Sequence, residues 1–504
     1  MLTYLLSGFS AAFELSNVLA IIAGAVIGTT MGVLPGMAPT AVIAMLLPVV
    51  LRLSPQTGLL FLGAVYFGSQ YGSSMSAILL NIPSEPQSIV IARDGFQLTK
   101  KGRAGPALAV AAIASFSGAT FGLIGLALLA PLISQVALSF GPPEYFDIAL
   151  FGALILTRLG GTSPWRGISA FAIGAMLSTI GQDPLLGTQR FTFHLVPLMQ
   201  GITVVPIAIG LYGITEVIML LSDVRAEVPL PKITLRNLWP SRQELQDSTP
   251  AIARGAIAGF AIGMLPGPAL TLASFLSYRI EKFLDHGKSV GHGAMRAIAG
   301  PKAADDAAIG ATLAPLLILG LPFTPVTAVL FAGMLLAGLQ PGPAFISSHP
   351  SLFWGLVTGL LVTNGLLLML NLPFVSIWVN LLRIPRKILA SVMFVLMMIG
   401  AFALDNSWSG AIIALAAGGL GVVLKRYDFD RILVVLGVVL GAPLERYLRT
   451  SLILSRGSFL IFLTQPISLG ILVALLVLLA APPFWKRHQR HATMIGSGEQ
   501  GGDS

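Results

Sequence analysis

Asp305 and Asp306 are the only adjacent acids within an otherwise apolar region of this sequence. Carboxylates so placed can hold a cation through oxygen, or carry a proton where burial disfavours their charge. A structural reading competes. The pair directly precedes Ala307-Ala-Ile-Gly310, where an apolar segment begins, and acids at a helix N-terminus are stabilised through capping and the dipole by about 0.3–1 kcal/mol. Lys302 just upstream could meet an anion or lie in a solvated loop.

A second group is built from glycine, proline and threonine. Gly28-x-x-x-Gly32-x-Leu34-Pro35-Gly36 recurs as Gly259-x-x-x-Gly263-x-Leu265-Pro266-Gly267, an offset of 231 residues that Thr40 and Thr271 also keep. A Pro-Gly inside an apolar run breaks a helix, and the half-helix beyond presents free N–H groups and a positive dipole end, which favour anions. Thr40 and Thr271 can cap those ends or contact a ligand through their hydroxyls. The plainer alternative is that each Pro-Gly only terminates a packed helix.

Ser73, Ser74, Ser76 and Asn81 form a polar patch in an apolar segment, facing the bundle interior as ligand contacts or as interhelical glue. Thr312, Thr324 and Thr327 are their weaker counterparts further on. Glu445, Arg446 and Arg449 fit structural pairing or snorkelling, the two arginines sharing a face if helical. The run Ile432 to Leu444 before them is too short to span unaided. His286 and His292 lie in a polar loop and no H-E-x-x-H occurs, so no metal site is expected.

What must position these residues is a membrane bundle. Of 504 residues, 55 % are hydrophobic and 10 % charged, with a mean hydropathy of +0.86. A soluble domain carries roughly 25 % charged residues, so a soluble enzyme, a nucleic-acid binder and a disordered scaffold are excluded. There is no cysteine, hence no disulfide, thiol nucleophile or thiolate metal site. The net charge of +9 sits in short clusters between apolar runs. Arg93 to Arg103, Arg383 to Lys387, and Lys486 to Arg490 are therefore expected on the cytoplasmic side, the C-terminus with them. No cleavable signal peptide is expected, since the first Lys or Arg is Arg52.

Val18 to Leu51 is uncharged over 34 residues, about 51 Å as one helix against a hydrocarbon core of ~30 Å. Pro106 to Pro143 and Ala307 to Leu382 pose the same problem. Breaks are expected at Pro35-Gly36, Pro131, Pro266-Gly267 and Pro322. A second repeated pair, Ile82-Pro83-x-x-Pro86 and Leu321-Pro322-x-x-Pro325, is offset by 239 residues. The expected fold is an all-α polytopic membrane protein of about 10–12 transmembrane segments. Two structural repeats, in inverted orientation, carry broken or re-entrant helices, and such matched interruptions point to a transporter's binding site. Residues 13–222 form the first repeat, 223–250 a polar linker, 251–483 the second repeat with additional C-terminal spans, and 484–504 a disordered cytoplasmic tail.

The chain resembles the large membrane subunit of the tripartite tricarboxylate transporter family (TctA), from about Phe13 to Pro483. The resemblance rests on Gly32-Val-Leu-Pro-Gly36, Tyr71-Gly-Ser-Ser-Met-Ser-Ala-Ile-Leu-Leu-Asn81-Ile-Pro-Ser-Glu-Pro86 and Asp94-Gly-Phe-Gln-Leu-Thr-Lys-Lys-Gly-Arg-Ala-Gly105. It continues in Leu265-Pro-Gly267, Leu319-Gly-Leu-Pro322, Leu339-Gln-Pro-Gly-Pro343 and Leu440-Gly-Ala-Pro-Leu-Glu-Arg-Tyr-Leu-Arg449. The chain departs from the family at Gly72-Ser73, at Pro83-Ser84 and Pro322-Phe323, and at Lys302 and Asp305-Asp306, where the family shows an acidic residue and then paired Asn.

The resemblance implies a secondary transporter of the bacterial inner membrane importing a tricarboxylate-like organic acid, driven by a sodium ion or proton gradient and without other cofactor. A periplasmic solute-binding protein and a small membrane subunit are the implied partners, with lipid around them and no nucleic acid. Substrate contacts are then expected at Pro35, Gly36, Thr40, Ser73, Ser74, Asn81, Pro266, Gly267, Thr271 and Thr324, and the coupling ion at Asp305 and Asp306. Two other classes compete. An intramembrane enzyme needs a nucleophile with its base or a carboxylate pair in a cavity, and no convincing Ser/His pair is present. A passive channel would not need two matching broken segments.

Overall fold

The computed structural model describes residues 2–34, 37–159, 163–183, 185–199, 201–222, 233, 237–382, 384–405 and 407–480. Pro35, Gly36, most of the linker and the 484–504 tail lie outside the described residues. Apart from a short hairpin, Gly181–Gln182 paired antiparallel with Gln189–Arg190, the regular structure described is helical. Five helices are long and apolar enough to cross a membrane: Leu15–Val33, Ala104–Ala137, Val204–Ser222, Pro350–Asn371 and Trp408–Arg426. Shorter apolar helices, such as Pro39–Val50 and Pro325–Leu336, accompany them.

The helices that build the site are α1 (Leu15–Val33), α2 (Pro39–Val50), α3 (Pro55–Leu80), α4 (Ser88–Lys100) and α5 (Ala104–Ala137) from the first half. The second half supplies α6 (Arg242–Gly263), α7 (Ala269–Leu284), α8 (Arg296–Ala314), α9 (Pro325–Leu336), α10 (Pro350–Asn371) and α11 (Arg431–Leu454). Local chemistry sets their starts. The Ser54 side chain accepts from Thr57 N–H at the head of α3. Ser241 and Glu244 form a reciprocal capping box on α6, as Thr324 and Thr327 do on α9.

The core consists of α3 and α8, buried without interruption from Thr57 to Leu79 and from Ala297 to Ala314. Each is gripped by a glycine stripe. Gly24, Gly28 and Gly32 of α1 lie on the backbone of α3 at Phe61, Val65 and Ser69. Gly255, Gly259 and Gly263 of α6 lie on α8 at Gly300, Ala304 and Ala308. A Cβ at Gly28, Gly32, Gly255 or Gly259 would overlap a carbonyl oxygen of the facing helix. The gripping glycines keep the 231-residue offset and the backbone positions they touch keep the 239-residue offset, so one local packing unit occurs twice. Small residues are what allow membrane helices to approach this closely.

Four expectations need correction. No break occurs at Pro131: α5 runs through it for 34 residues, because a proline removes one ladder bond and packed neighbours accommodate the rest. The stretch 242–250, read as linker, is the start of α6, whose capping box lets charged residues begin a helix before the apolar part. The run before Glu445 does not end there, since α11 continues to Leu454 over 24 residues. Lys302, Asp305 and Asp306 lie in neither a loop nor a helix N-terminus, because α8 starts at Arg296 and carries them inside.

The two halves are also joined at Asp94 on α4, which is fully buried. Its carboxylate accepts from the N–H groups of Gly291, Gly293 and Ala294 at 2.8, 2.9 and 3.1 Å, and from the Tyr278 hydroxyl at 2.9 Å. Asp94→Ala strands these donors, each costing about 1–3 kcal/mol when buried and unmatched. The variant should show a large fall in the thermal unfolding temperature of detergent-purified protein, and Asp94→Asn, with one acceptor oxygen, a smaller one. An unchanged transition for Asp94→Ala would show that the loop is held by other contacts.

Candidate functional site

Lys302 is completely buried. Its Nζ lies 2.8 Å and 3.0 Å from the two carboxylate oxygens of Asp306 and 3.6 Å from Asp305 Oδ2. It also donates across the bundle to the backbone carbonyl of Gln70 on α3 at 3.4 Å. The spacing follows from the helix: residues three and four positions apart share a face, so one lysine reaches both aspartates. A buried ammonium is tolerated only when its charge is matched and its donors are used. Here the match is exceeded, since two carboxylates face one cation and Glu85, in the turn after α3, adds a third acid within electrostatic reach of Lys302.

The surrounding polar atoms are not all used. Both amide atoms of Gln70, the Tyr66 hydroxyl and Asp305 Oδ1 are buried without a hydrogen-bond partner among the described residues. Tyr66 and Gln70 are one turn apart on α3, and Asp305, Asp306 and Glu85 all act electrostatically on Tyr66. Unused buried polar atoms are rare in folded proteins and call for an explanation. The Gln70 side chain acts on both Tyr66 and Glu85, which places these unused polar atoms beside the charged cluster.

The other expected site residues divide. Pro35 and Gly36 lie outside the described residues. Thr40 is buried as the second residue of α2. Ser73 and Ser74 are buried, and their hydroxyls bond back to the Gln70 carbonyl at 3.0 and 3.2 Å, the same oxygen that Lys302 approaches. Asn81 does not join this patch: it is exposed, and its left-handed φ of 56° ends α3, a conformation that asparagine tolerates. Pro266 and Gly267 do separate α6 from α7, with Gly267 at φ 147°. Thr271 is half-buried on α7. The Thr324 hydroxyl is occupied in the cap of α9.

The helix ends that precede the two interruptions pack near the charged cluster. Gly32, just before the first, packs on Ser69 beside Gln70, and Gly263, just before the second, packs on Ala308 beyond Asp306. Sequence reasoning missed Tyr66, Gln70 and Glu85. The available signal was a Gln inside an uncharged run, which a hydropathy window averages away.

Glu445 and Arg449 do pair structurally. Glu445 takes Arg190 bidentately at 2.8 and 3.1 Å and Arg449 at 2.9 Å, while Arg449 also reaches Asp183 at 2.8 Å. Arg449 and the N–H groups of Leu186 and Leu185 hold the Asp183 carboxyl well below the usual carboxylate range.

Apolar spans enclosing a charged cluster between two broken helices define a polytopic membrane protein with its polar site sealed from lipid. The chain belongs to the tripartite tricarboxylate transporter TctA family, whose sequence profile matches residues 18–436, and this makes it a transporter subunit. It is 41 % identical over 467 residues to an uncharacterized 52.8 kDa protein in the TAR-I ttuC' 3' region of Agrobacterium vitis, covering 92 % of this chain and 93 % of that one. An uncharacterized protein in the TAR-II ttuC' 3' region of the same organism is 39 % identical over 227 residues, 44 % of this chain and 94 % of that one. No solved structure matches.

Proposed function

We propose that this chain is the large membrane subunit of a secondary carrier that imports a carboxylate across the bacterial inner membrane and is driven by protons. It receives substrate from a periplasmic solute-binding protein and works with a small membrane subunit, as membership of a tripartite family supports. The observation that carries the coupling is Lys302. Its ammonium already occupies the oxygen-lined position between Asp306, Asp305 and the Gln70 carbonyl, where a hard cation would otherwise take oxygen ligands. The excess carboxylate, Asp305, then has a proton as its natural partner, because a second uncompensated charge is costly in this setting. Protonating Asp305 leaves the Lys302 ammonium matched by the Asp306 carboxylate, which removes one negative charge from the cluster and weakens its repulsion of an anionic substrate.

The test is uptake of labelled citrate into proteoliposomes holding all three components. A pH gradient should drive accumulation, and a sodium gradient at constant pH should not. Asp305→Asn should keep its membrane insertion and lose most of the pH dependence of uptake. Accumulation that follows sodium and ignores pH would defeat the proton assignment, and equal flux with and without either gradient would make the protein a channel.

A further inference from the structure

Between α9, α11 and the segment joining α9 to α10 lies a cavity of about 720 Å³, within the usual size range of small-molecule sites. Its polar lining includes Arg446 and Tyr447 of α11 and Gln340, Ser348 and His349 of the connecting segment, and its floor includes Gly320 at the end of the α8 segment. No acidic residue lines it. We propose that this cavity is a carboxylate-binding site on the outer side of the carrier, with Arg446 as its anion anchor. The proposal rests on the reading that the substrate is a carboxylate.

Charge accounting singles out Arg446. Arg190 and Arg449 nearby are matched by Glu445 and Asp183, whereas Arg446 makes no ion pair or hydrogen bond among the described residues. An arginine left free at a cavity without acids is suited to bidentate recognition of a carboxylate. The walls around it are fixed. Gly342 N–H donates to the Leu317 carbonyl at 3.1 Å, and the Ser134 hydroxyl donates to the Pro343 carbonyl at 2.9 Å. Tyr447 stacks on Tyr145, with ring centroids 5.3 Å apart. A site with fixed walls loses little entropy on binding.

Position gives the site its role. α8 starts at Arg296 beside the Arg93 to Arg103 cluster. Asp94, accepting from Gly291 N–H, and Lys101 Nζ, donating to the His292 carbonyl, tie the two together. This is a basic end of the kind found on the cytoplasmic face, and Gly320 follows the other end of that segment. The cavity therefore opens towards the opposite, periplasmic side. It touches Gly320, about 27 Å along from Lys302 at ~1.5 Å per residue. A substrate anion would meet Arg446 before it approached the proton-loaded cluster, so the anion site on α11 and the proton site in the middle of α8 are held apart.

The same oxyanion chemistry could come from a lipid headgroup, and the experiment separates the two. Full-length protein in phosphatidylcholine nanodiscs is treated with phenylglyoxal, and Arg446 modification is followed by peptide mass spectrometry with citrate, tartrate or succinate present. At least one acid should slow modification of Arg446 about tenfold, the ratio set by ~1.4 kcal/mol of binding, while exposed Arg52 is modified at an unchanged rate. Arg446→Gln should raise the KM for uptake of that acid about tenfold with the gradient dependence retained, and Arg446→Lys should fall between. Failure of all three acids to protect, or protection only when phosphatidylglycerol is present, overturns the proposal. Uptake without protection would refute the site and leave the carrier function standing. Protection without uptake would keep the site and refute the carrier.

Discussion

Lys302→Met should abolish uptake and destabilise the carrier, and adding Asp306→Asn should recover the fold without recovering transport. The single change leaves Asp305 and Asp306 facing each other and Glu85 in a sealed site with no cation. Removing one partner of a buried ion pair costs about 3–5 kcal/mol. A loss of even 3 kcal/mol is more than a hundredfold in an equilibrium constant and a large part of the roughly 5–15 kcal/mol that holds a typical protein folded, so the unfolding temperature in detergent should fall steeply. The double variant removes one negative charge as well as the positive one, which relieves much of that penalty. It still lacks the ammonium that bridges α8 to the Gln70 carbonyl, so proton-driven uptake should stay at background. Thermal unfolding and proteoliposome uptake measured on the same preparations check both halves. A double variant that transports normally would reduce Lys302 to a packing element.

Gly259→Ala should be nearly as damaging, though it adds a single methyl group. Its Cβ would overlap the carbonyl oxygen of Ala304 on α8, and backbone oxygen cannot rotate away as a side chain can. The helices must separate along the whole stripe, undoing the contacts of Gly255 and Gly263 also. Overpacking of this kind costs about 1–3 kcal/mol where side chains can adjust, and more is expected here. Gly365→Ala on α10 is the control, since its Cβ meets nothing within 4 Å. It should be neutral or gain up to about 1 kcal/mol from helix propensity. Size-exclusion profiles and unfolding temperatures of the two variants should diverge. Equal behaviour would mean that the α6–α8 contact is not tight.

The sequence made the membrane class legible because composition is a global property: a chain with 10 % charged residues cannot coat a soluble globule. It also located the helix interruptions at Pro266-Gly267 and before α9 at Pro322, since proline acts through its own backbone neighbours, whereas the cap made by Thr324 was read as a substrate contact. The glycine stripe was readable as spacing, and its repeat at 231 residues marked the duplicated packing unit before any contact was known. Pro131 misled because a proline's effect depends on what surrounds it.

Other properties belong to the tertiary structure alone. In the middle of α8, Lys302 read as a loop residue and Asp305-Asp306 as a helix start, since nothing in the one-dimensional pattern says that α5, α6 and α7 will pack around that helix. The reach of Lys302 to Gln70 links positions 232 residues apart. The isolation of Arg446 depends on Arg190 and Asp183 arriving from a distant hairpin to occupy Glu445 and Arg449. Sequence spacing describes the faces of one helix and the places where it stops. Which charges are matched, and which are left free for a ligand, is set by the packing of helices against one another.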